Sequence, residues 1–399
     1  MKRPGIIVFS SLFPSAKRPG AGLFIRERMF RVGEHLPIVV VSPVPWFPLQ
    51  NLIRYWKPNF RPQPASMEEQ DGVKVLFPRF FSIPGLLKAW DGFFMALGSW
   101  FLLRKLKNQY GFGLIDAHFA YPDGYAASLL GQWLRMPVTI TLRGTEVPHA
   151  KEAGKRKRIV KALNRASQVF SVAGSLKNHV VAMGADENKV EVVGNGIDIN
   201  KFNPLDKKQA REQLGLPEAA KVIVSVGALV ERKGFHRVLE SMPGLLEQFP
   251  GLIYLIVGGD SPEGGIRSRL EAQTASLNLQ EHVRFLGALP PEELKLPLSA
   301  ADVFVLATAN EGWANVFLEA MACGLPVVTT DVGGNREVVN GPELGVIAPF
   351  GDRDALAGAL VEALKRDWDK DKIIDYAKAN QWDNRVAVLV NHFQRILNN

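Results

Sequence analysis

Cysteine is almost absent from this chain: its 399 residues include one, Cys323. A lone thiol cannot form a disulfide bond within the chain, and the pattern is typical of a reducing compartment. We therefore expect the protein to be cytoplasmic. One cysteine is also too few for the Cys/His spacings of a zinc site, which disfavours a metalloenzyme of that kind.

Long apolar segments are missing as well. The longest charge-free apolar run near an aromatic cluster spans residues 92–103, which is 12 residues, whereas a membrane-spanning helix needs about 18 to 20. The apolar stretch 6–9 follows Lys2 and Arg3 but is too short for a secretory signal, so it is interpreted as a first buried strand. We expect no transmembrane anchor and no export.

Two common phosphate-binding motifs are not found. The sequence has no Gly-Lys-Ser/Thr loop, and no Gly-x-Gly-x-x-Gly follows the first predicted strand. Interpretations as a P-loop kinase or as a Rossmann dehydrogenase are therefore weak.

Acidic residues are scarce in the first half of the chain. Residues 1–200 contain 27 Lys and Arg but 14 Asp and Glu, although the whole chain has a net charge of only +8. The densest basic cluster, 151–165, carries Ile159, Val160 and Leu163 at helical spacing. Such a helix suits an anionic membrane surface, and a solvated helix face is the alternative. No nucleic-acid-binding motif accompanies the charge, so no nucleic-acid partner is predicted.

Short β-branched runs alternate with helical patterns along the chain, which is typical of parallel α/β sheets. They form two similar series. The predicted strands are 5–10, 37–43, 114–118, 138–142, 168–173 and 190–194 in the first series, and 221–227, 252–259, 282–287, 301–307, 326–330 and 345–348 in the second. Turn-forming residues at 194–198 separate the two series. We predict domains at 1–198 and 199–374, with a C-terminal helix at 375–399 that crosses back onto the first domain.

Doubly wound domains bind ligands at the carboxyl ends of their strands, so residues that follow strands are the candidates for a site. Glu311 follows the strand 301–307, and Glu319 lies eight residues later in a helix predicted from about Trp313. At about 1.5 Å per helical residue the two carboxylates are roughly 12 Å apart, about the length of a sugar nucleotide. Glu311 could bind sugar hydroxyls and Glu319 ribose hydroxyls. The alternative is a capping glutamate and a structural ion pair.

Arg232 and Lys233 follow the strand 221–227 and are flanked by Gly227 and Gly234. Adjacent cations at a helix N-terminus could stabilise a diphosphate leaving group without a metal ion. A solvated surface dipeptide is the alternative interpretation.

The first domain offers weaker candidates. Gly22 ends a glycine-containing loop that would allow a backbone approach to phosphate, and a simple turn is the alternative. His118 ends a predicted strand, where a structural histidine is also common. Arg143, Gly144 and Glu146 end the next strand and could line the same cleft.

Together these elements resemble the retaining GT-B glycosyltransferases of family 4, group 1, which include bacterial enzymes of surface-glycan assembly. The resemblance covers essentially the whole chain, and its most specific part is the paired-glutamate helix with the tail 322–326. It implies two Rossmann-like doubly wound α/β domains that face each other across a cleft.

The resemblance also implies roles for individual residues. Glu311 would contact the donor hexose, Glu319 the ribose, Arg232 and Lys233 the diphosphate, Gly22 the phosphates from the opposite domain, and His118 the sugar near the reacting carbon. Asn315 and Val316 at the start of the helix would complete the donor-binding residues, and the catalytic set would be His118, Glu311, Arg232 and Lys233. This chain has Arg143 to Glu146 where the family often has His-Gly and Asp, which leaves the roles of Arg143 and Glu146 open.

The activity implied is the transfer of a hexosyl group from a nucleotide sugar, with retention, to a glycan, a lipid-linked acceptor or another cell-surface precursor. The donor is a substrate, so no cofactor is expected, and no metal. We expect a cytoplasmic enzyme that is peripheral on the inner face of the cytoplasmic membrane if 151–165 binds lipid. An epimerase or phosphorylase on the same fold, or a membrane-bound scaffold with a vestigial nucleotide site, is the alternative.

Overall fold

The computed structural model describes residues 4–57, 60–260 and 264–398. The chain forms two compact units. Unit 1 comprises the residues up to 195 together with those from 383 onward, and unit 2 comprises residues 196–382. The chain therefore leaves unit 1, builds unit 2, and returns to unit 1 with its last helix.

Each unit is an α/β structure. The strands of unit 1 are β1 (Gly5–Phe9), β2 (Ile38–Val41), β3 (Val44–Trp46), β4 (Met67–Gln70), β5 (Val73–Leu76), β6 (Arg79–Phe81), β7 (Phe112–His118), β8 (Val138–Leu142), β9 (Gln168–Ser171) and β10 (Val190–Val192). Those of unit 2 are β11 (Val222–Val226), β12 (Ile253–Val257), β13 (Val283–Gly287), β14 (Val303–Leu306), β15 (Val327–Thr330) and β16 (Gly345–Ala348).

Helices connect the strands. In unit 1 they are α1 (Leu23–Gly33), α2 (Gln50–Ile53), α3 (Asp91–Tyr110), α4 (Tyr125–Leu134), α5 (Glu146–His149), α6 (Ala153–Arg165) and α7 (Gly174–Ala182). In unit 2 they are α8 (Lys207–Gln213), α9 (Phe235–Gln248), α10 (Arg267–Ser276), α11 (Lys295–Ala300), α12 (Asn315–Ala322), α13 (Asn335–Val338), α14 (Arg353–Lys365) and α15 (Lys370–Ala379), and α16 (Trp382–Asn398) follows. None of the helices in the described ranges combines the length and the apolar character that a membrane span requires.

The main sheet of unit 1 has the order β10-β9-β8-β7-β1-β2-β5-β4 and is parallel except for the antiparallel β4–β5 pair. The chain runs from β1 outward to one side of the sheet and returns through β7 on the other side. The topological switch point therefore lies between β1 and β7, where Val8 pairs with Asp116.

Unit 2 contains a fully parallel sheet with the order β13-β12-β11-β14-β15-β16. The chain moves from β11 outward through β12 to β13 and returns at β14. The switch point of this sheet is between β11 and β14, where Ile223 pairs with Val303.

The twelve predicted strands all overlap strands of the structure, and their ends differ by at most two residues. This agreement arises because parallel strands buried on both faces are continuous apolar runs. In β11, for example, Val222 and Val224 point into one core of unit 2 and Ile223 points into the other. The strands β3 to β6 were not predicted. β3 contains a proline, and β4 is a polar edge strand without an apolar run.

The C-terminal segment consists of two helices rather than one from residue 375. Asp369 accepts a hydrogen bond from the backbone N–H of Lys372 and starts α15, whose buried Ile373 lies in a core of unit 2. α16 packs within unit 1, where the Phe393 ring lies 5.8 Å from that of Phe170. The domain limits predicted from the sequence, 1–198, 199–374 and 375–399, remain predictions, because the two compact units are defined by contacts within the structure.

Candidate active site and family

The candidate donor residues of unit 2 lie at the switch point of its sheet. Arg232 and Lys233 are in a short 3-10 turn between β11 and α9, and Glu311 is in the loop between β14 and α12. β11 and β14 are parallel neighbours, so both loops leave the same edge of the sheet. Ligands of open α/β sheets bind at this position.

Glu311 is the centre of a charged cluster. Its Oε1 lies 2.5 Å from Lys233 Nζ, 3.5 Å from an Arg232 guanidinium nitrogen, and 3.2 Å from Thr308 Oγ1, which donates to it. Glu311 is only 9 % exposed, so two cations and a hydroxyl compensate the loss of water around its carboxylate. We name these four residues the Glu311 cluster. The structure brings together three of the residues that the sequence predicted.

Glycines allow the two loops to meet. Gly234 has φ +77°, and a Cβ there would lie 1.9 Å from the carbonyl oxygen of Ala307. Gly333, in a third loop between β15 and α13, has φ +52°, and a Cβ there would lie 1.9 Å from the carbonyl oxygen of Glu311. The Arg232 carbonyl accepts a hydrogen bond from the backbone N–H of Ala309 at 2.7 Å. Close backbone packing therefore fixes the loop that carries the cations against the loop that carries Glu311.

The helix after Glu311 begins at Asn315, two residues later than predicted, because Ala314 still has an extended backbone. Asn315 and Val316 form its first turn. Glu319 is half-buried on this helix. Burial of the Cys323 thiol and, to a smaller extent, the negative charge of Glu319 raise the pKa of this thiol to about 12.

In unit 1, Gly22 follows β1 and His118 ends β7, so these two candidates also lie at the switch point, whereas Arg143, Gly144 and Glu146 follow β8. Gly22 has φ +69° and precedes α1, and a Cβ there would lie 2.3 Å from the Leu12 carbonyl oxygen. The buried Asp123 carboxylate accepts hydrogen bonds from the backbone N–H and the hydroxyl of Ser11. These bonds join the loop after β1 to the loop after β7.

His118 is fully buried at the end of β7. Its Nδ1 lies 3.1 Å from a terminal nitrogen of Arg143. A guanidinium can only donate hydrogen bonds, so Nδ1 accepts and the proton of the neutral ring is on Nε2. Burial, followed by the positive charges of Arg143 and Arg28, holds the pKa of His118 well below its usual value. We therefore expect a neutral His118 ring with its proton on Nε2.

Arg143 and Glu146 have different roles. Arg143 contacts His118, donates to Asn195 Oδ1 at 2.8 Å and stacks over the Phe24 ring at 4.9 Å. Glu146 is fully buried and accepts from the backbone N–H groups of Ala120 at 3.1 Å and Gly144 at 2.7 Å. Glu146 thus connects the ends of β7 and β8, and Arg143 is the member of this predicted group that reaches His118.

Two charged residues beside His118 were not predicted as site residues. Arg28 is 1 % exposed, and none of its three guanidinium nitrogens has a hydrogen-bond partner among the described residues. Burial lowers the pKa of Arg28 to about 10 and raises the pKa of Asp116 to about 6. The opposite charges of the two residues make both shifts smaller than burial alone would produce. Asp116 Oδ2 lies 3.4 Å from His118 Nε2. The helical spacing of Ile25, Arg28 and Met29 was the available signal, because it places Arg28 on the buried face of α1.

No group of three or more His, Cys, Asp or Glu side chains arranged to hold a metal ion occurs within the described ranges. The predicted metal independence is tested only by an activity measurement.

The fold of the chain is the GT-B fold. Sucrose-phosphate synthase from Thermosynechococcus elongatus has a similar structure, with a TM-score of 0.78 and 20 % identity over 99 % of each chain. Anabaena HepE in complex with UDP gives a TM-score of 0.74 and 19 % identity, over 98 % of this chain and all of HepE.

Two protein-family models match the chain. Residues 206–380 match the model "Glycosyl transferases group 1", and residues 60–201 match "Glycosyltransferase Family 4". A Bacillus subtilis strain 168 protein named for teichuronic acid biosynthesis, the glycosyltransferase TuaC, is 30 % identical over 370 residues, which cover 90 % of this chain and 88 % of TuaC. The chain belongs to the group 1, family 4 glycosyltransferases, which confirms the family predicted from the sequence motifs.

Proposed function

We propose that this glycosyltransferase moves a hexosyl group from a nucleotide sugar to a glycan or lipid-linked precursor of a cell-surface polymer, with retention of anomeric configuration. The observation that supports this most directly is the Glu311 cluster at the switch point of unit 2. The Glu311 carboxylate in this cluster contacts Arg232 and Lys233 at the edge of the sheet where α/β domains bind nucleotides.

Lys233 is suited to a diphosphate. Its ammonium group has three donors, and one of them is directed to Glu311. Arg232, more exposed at its side chain than Lys233, adds a planar set of donors. Together they would stabilise the charge that develops on the diphosphate as the bond from the anomeric carbon to the phosphate oxygen breaks.

Glu311 has a second oxygen to offer the donor. Its three contacts in the cluster all reach Oε1. Oε2 is therefore the oxygen that would accept from a hexose hydroxyl. Glu319 and the first turn of α12, Asn315 and Val316, would hold the ribose and phosphate part of the donor. The backbone at Gly22 is also proposed to contact phosphate.

Retention would follow from front-face attack. The acceptor hydroxyl would add to the anomeric carbon on the face that the diphosphate leaves, and the hydroxyl proton would pass to the departing phosphate oxygen. His118 is the residue proposed to contact the sugar near the reacting carbon. This route needs neither a protein nucleophile nor a metal ion.

The polymer-precursor acceptor is supported by TuaC, which is named for teichuronic acid biosynthesis. Solved complexes of HepE contain UDP and UDP-glucose, so UDP-sugars are the first donors to test. We also propose that the cytoplasmic enzyme associates with the inner face of the membrane through 151–165.

The test is calorimetric titration with UDP-, GDP- and ADP-sugars, followed by NMR of the product's anomeric proton. Binding with transfer and an unchanged anomeric configuration is the expected result. Inverted product contradicts retention. Isomerised donor without transfer indicates the epimerase alternative, sugar phosphate release with inorganic phosphate indicates a phosphorylase, and binding without turnover over a panel of acceptors indicates the scaffold.

A further inference from the structure

The basic helix α6 has an apolar face, but that face is not available to lipid. Ile159 and Leu163 are 0 % and 1 % exposed and lie in the core of unit 1. Four of the eight exposed residues of the segment 151–165 are cations: Lys151, Arg156, Lys157 and Lys161. Any apolar contact between this part of unit 1 and a bilayer must therefore come from another element.

Large apolar side chains are exposed within residues 86–101, and one of them, Trp90, contacts α6. These side chains, all at least half exposed, are Leu86 (62 %), Leu87 (55 %), Trp90 (50 %), Leu97 (54 %) and Phe101 (75 %). We name these five residues the apolar stripe. Trp90 immediately precedes α3, and Leu97 and Phe101 follow it in the helix at intervals of seven and four residues. This spacing places the three side chains on one face of the helix.

A contact at Trp90 places one end of the apolar stripe beside the basic segment. The Arg158 guanidinium lies 5.4 Å from the centre of the Trp90 ring. A ring series continues from Trp90 to Phe93 at 6.1 Å and from Phe93 to Trp133 at 6.3 Å. Trp133 is itself 42 % exposed, so the apolar area extends from α3 onto α4.

Cations border the apolar stripe at its far end too. Arg104 and Lys105 are exposed one turn beyond Phe101, and the Arg104 guanidinium lies 5.5 Å from the Trp100 ring. Exposed leucines and aromatic rings with basic residues at both ends are the composition of an interfacial membrane surface. A symmetric pair of chains joined through this face would bring like charges together, which disfavours a second copy as the occupant.

We propose that the apolar stripe inserts into an anionic bilayer while the cations of residues 151–165 bind its headgroups. The inference rests on the proposed membrane association of 151–165 and adds the apolar half of the contact. It gives the chain a docking surface on unit 1 that a helix with a buried apolar face cannot supply alone.

The test measures sedimentation of the full chain with phosphatidylcholine vesicles that contain or lack phosphatidylglycerol, without donor or acceptor. Each basic residue near an anionic surface contributes about 1 kcal/mol, which is about fivefold in affinity. We expect Arg156→Gln with Lys157→Gln to weaken binding about 25-fold. Leu97→Gln with Phe101→Gln should weaken it about tenfold or more, because each side chain loses the free energy of apolar burial.

Matched controls come from unit 2. Lys208→Gln with Arg353→Gln removes two exposed cations, and Phe350→Gln removes an exposed aromatic ring. Both controls should bind vesicles as the wild type does. Quenching of tryptophan fluorescence by brominated lipid should fall in Trp90→Phe if this side chain enters the bilayer.

Normal vesicle binding by the Leu97 and Phe101 variant overturns the proposal, as does an equal loss in Phe350→Gln. Conversion of a dimer to a monomer by the Leu97 and Phe101 variant, with vesicle binding unchanged, would show a chain–chain interface and also overturn it. If only the charge variant loses binding, membrane association stands and apolar insertion fails. Donor binding is measured without vesicles, so failure of the proposed activity is a separate result.

Discussion

Glu311 and Lys233 are 78 residues apart in the sequence and 2.5 Å apart at Oε1 and Nζ. The pair is largely removed from water, with 10 % and 14 % of the two side chains exposed. Screening is weak in such surroundings, so each charge depends on the other far more than in a surface pair. The pair is therefore where substitution should affect donor binding most directly.

We expect Lys233→Met to raise the Kd for the nucleoside diphosphate by about 10- to 150-fold, which corresponds to about 1.5–3 kcal/mol for a hydrogen bond to a charged group. Titration calorimetry measures the change. Lys208→Met, an exposed lysine of the same unit, is the control and should bind normally. Wild-type affinity in Lys233→Met would remove this lysine from the diphosphate site.

The second residue-scale prediction concerns the proton of His118. Its Nδ1 accepts from Arg143, so NMR of the ¹⁵N-labelled imidazole should show a neutral ring protonated at Nε2, with no titration near pH 6.5. Arg143→Met removes one of the positive charges that lower the pKa of His118, so this pKa should move upward toward its usual value. The tautomer should then no longer be fixed.

Arg156→Met, an exposed arginine of α6, is the control for that titration and should leave the His118 signals unchanged. Transfer rates of Arg143→Met should fall through kcat more than through the donor Kd, because the donor residues of unit 2 are intact. An Arg143→Met protein whose His118 spectrum matches the wild type would show that the guanidinium does not set the tautomer.

At the scale of elements, the β11–α9 turn depends on one glycine. Gly234 has positive φ, and its Cα hydrogen faces the Ala307 carbonyl at a distance that no Cβ can occupy. The same turn carries Arg232 and Lys233. Stability and donor binding are therefore linked at this position.

Gly234→Ala should lower the free energy of unfolding by about 2 kcal/mol or more, from left-handed strain and the backbone clash. It should weaken donor binding at the same time. Gly244→Ala lies within α9, where a Cβ would meet nothing within 4 Å, and should instead stabilise by about 0.5–1 kcal/mol. Urea denaturation of the two variants compares them directly, and equal midpoints would contradict the argument.

For the whole molecule, the expectation that matters most is metal independence. If Arg232 and Lys233 provide the positive charge for the leaving group, kcat/KM should be the same in EDTA as in Mg²⁺. A continuous assay of nucleoside diphosphate release measures this on the full chain. Loss of turnover in EDTA that Mg²⁺ or Mn²⁺ restores would exclude the metal-free mechanism.

The charge asymmetry of the chain also belongs to this scale. The sequence places its basic excess in residues 1–200, and the structure assigns most of that segment to unit 1. Composition indicates the sign of a partner's charge and nothing of its shape. The exposed leucines and rings of the apolar stripe became a candidate surface only when their neighbours were known.

The sequence by itself determined the α/β class, the twelve main strands and the order of the glycosyltransferase motifs. These features are local, because a buried parallel strand is a continuous apolar run and a turn needs glycine where it occurs. Long-range contacts were decided only by the tertiary structure. Sheet order brought Glu311 to Lys233, turned Glu146 toward backbone N–H groups, and placed Arg28 and Arg143 beside His118. Periodicity shows which residues lie on a buried face, but the partner that a buried charge meets there depends on which strands become neighbours.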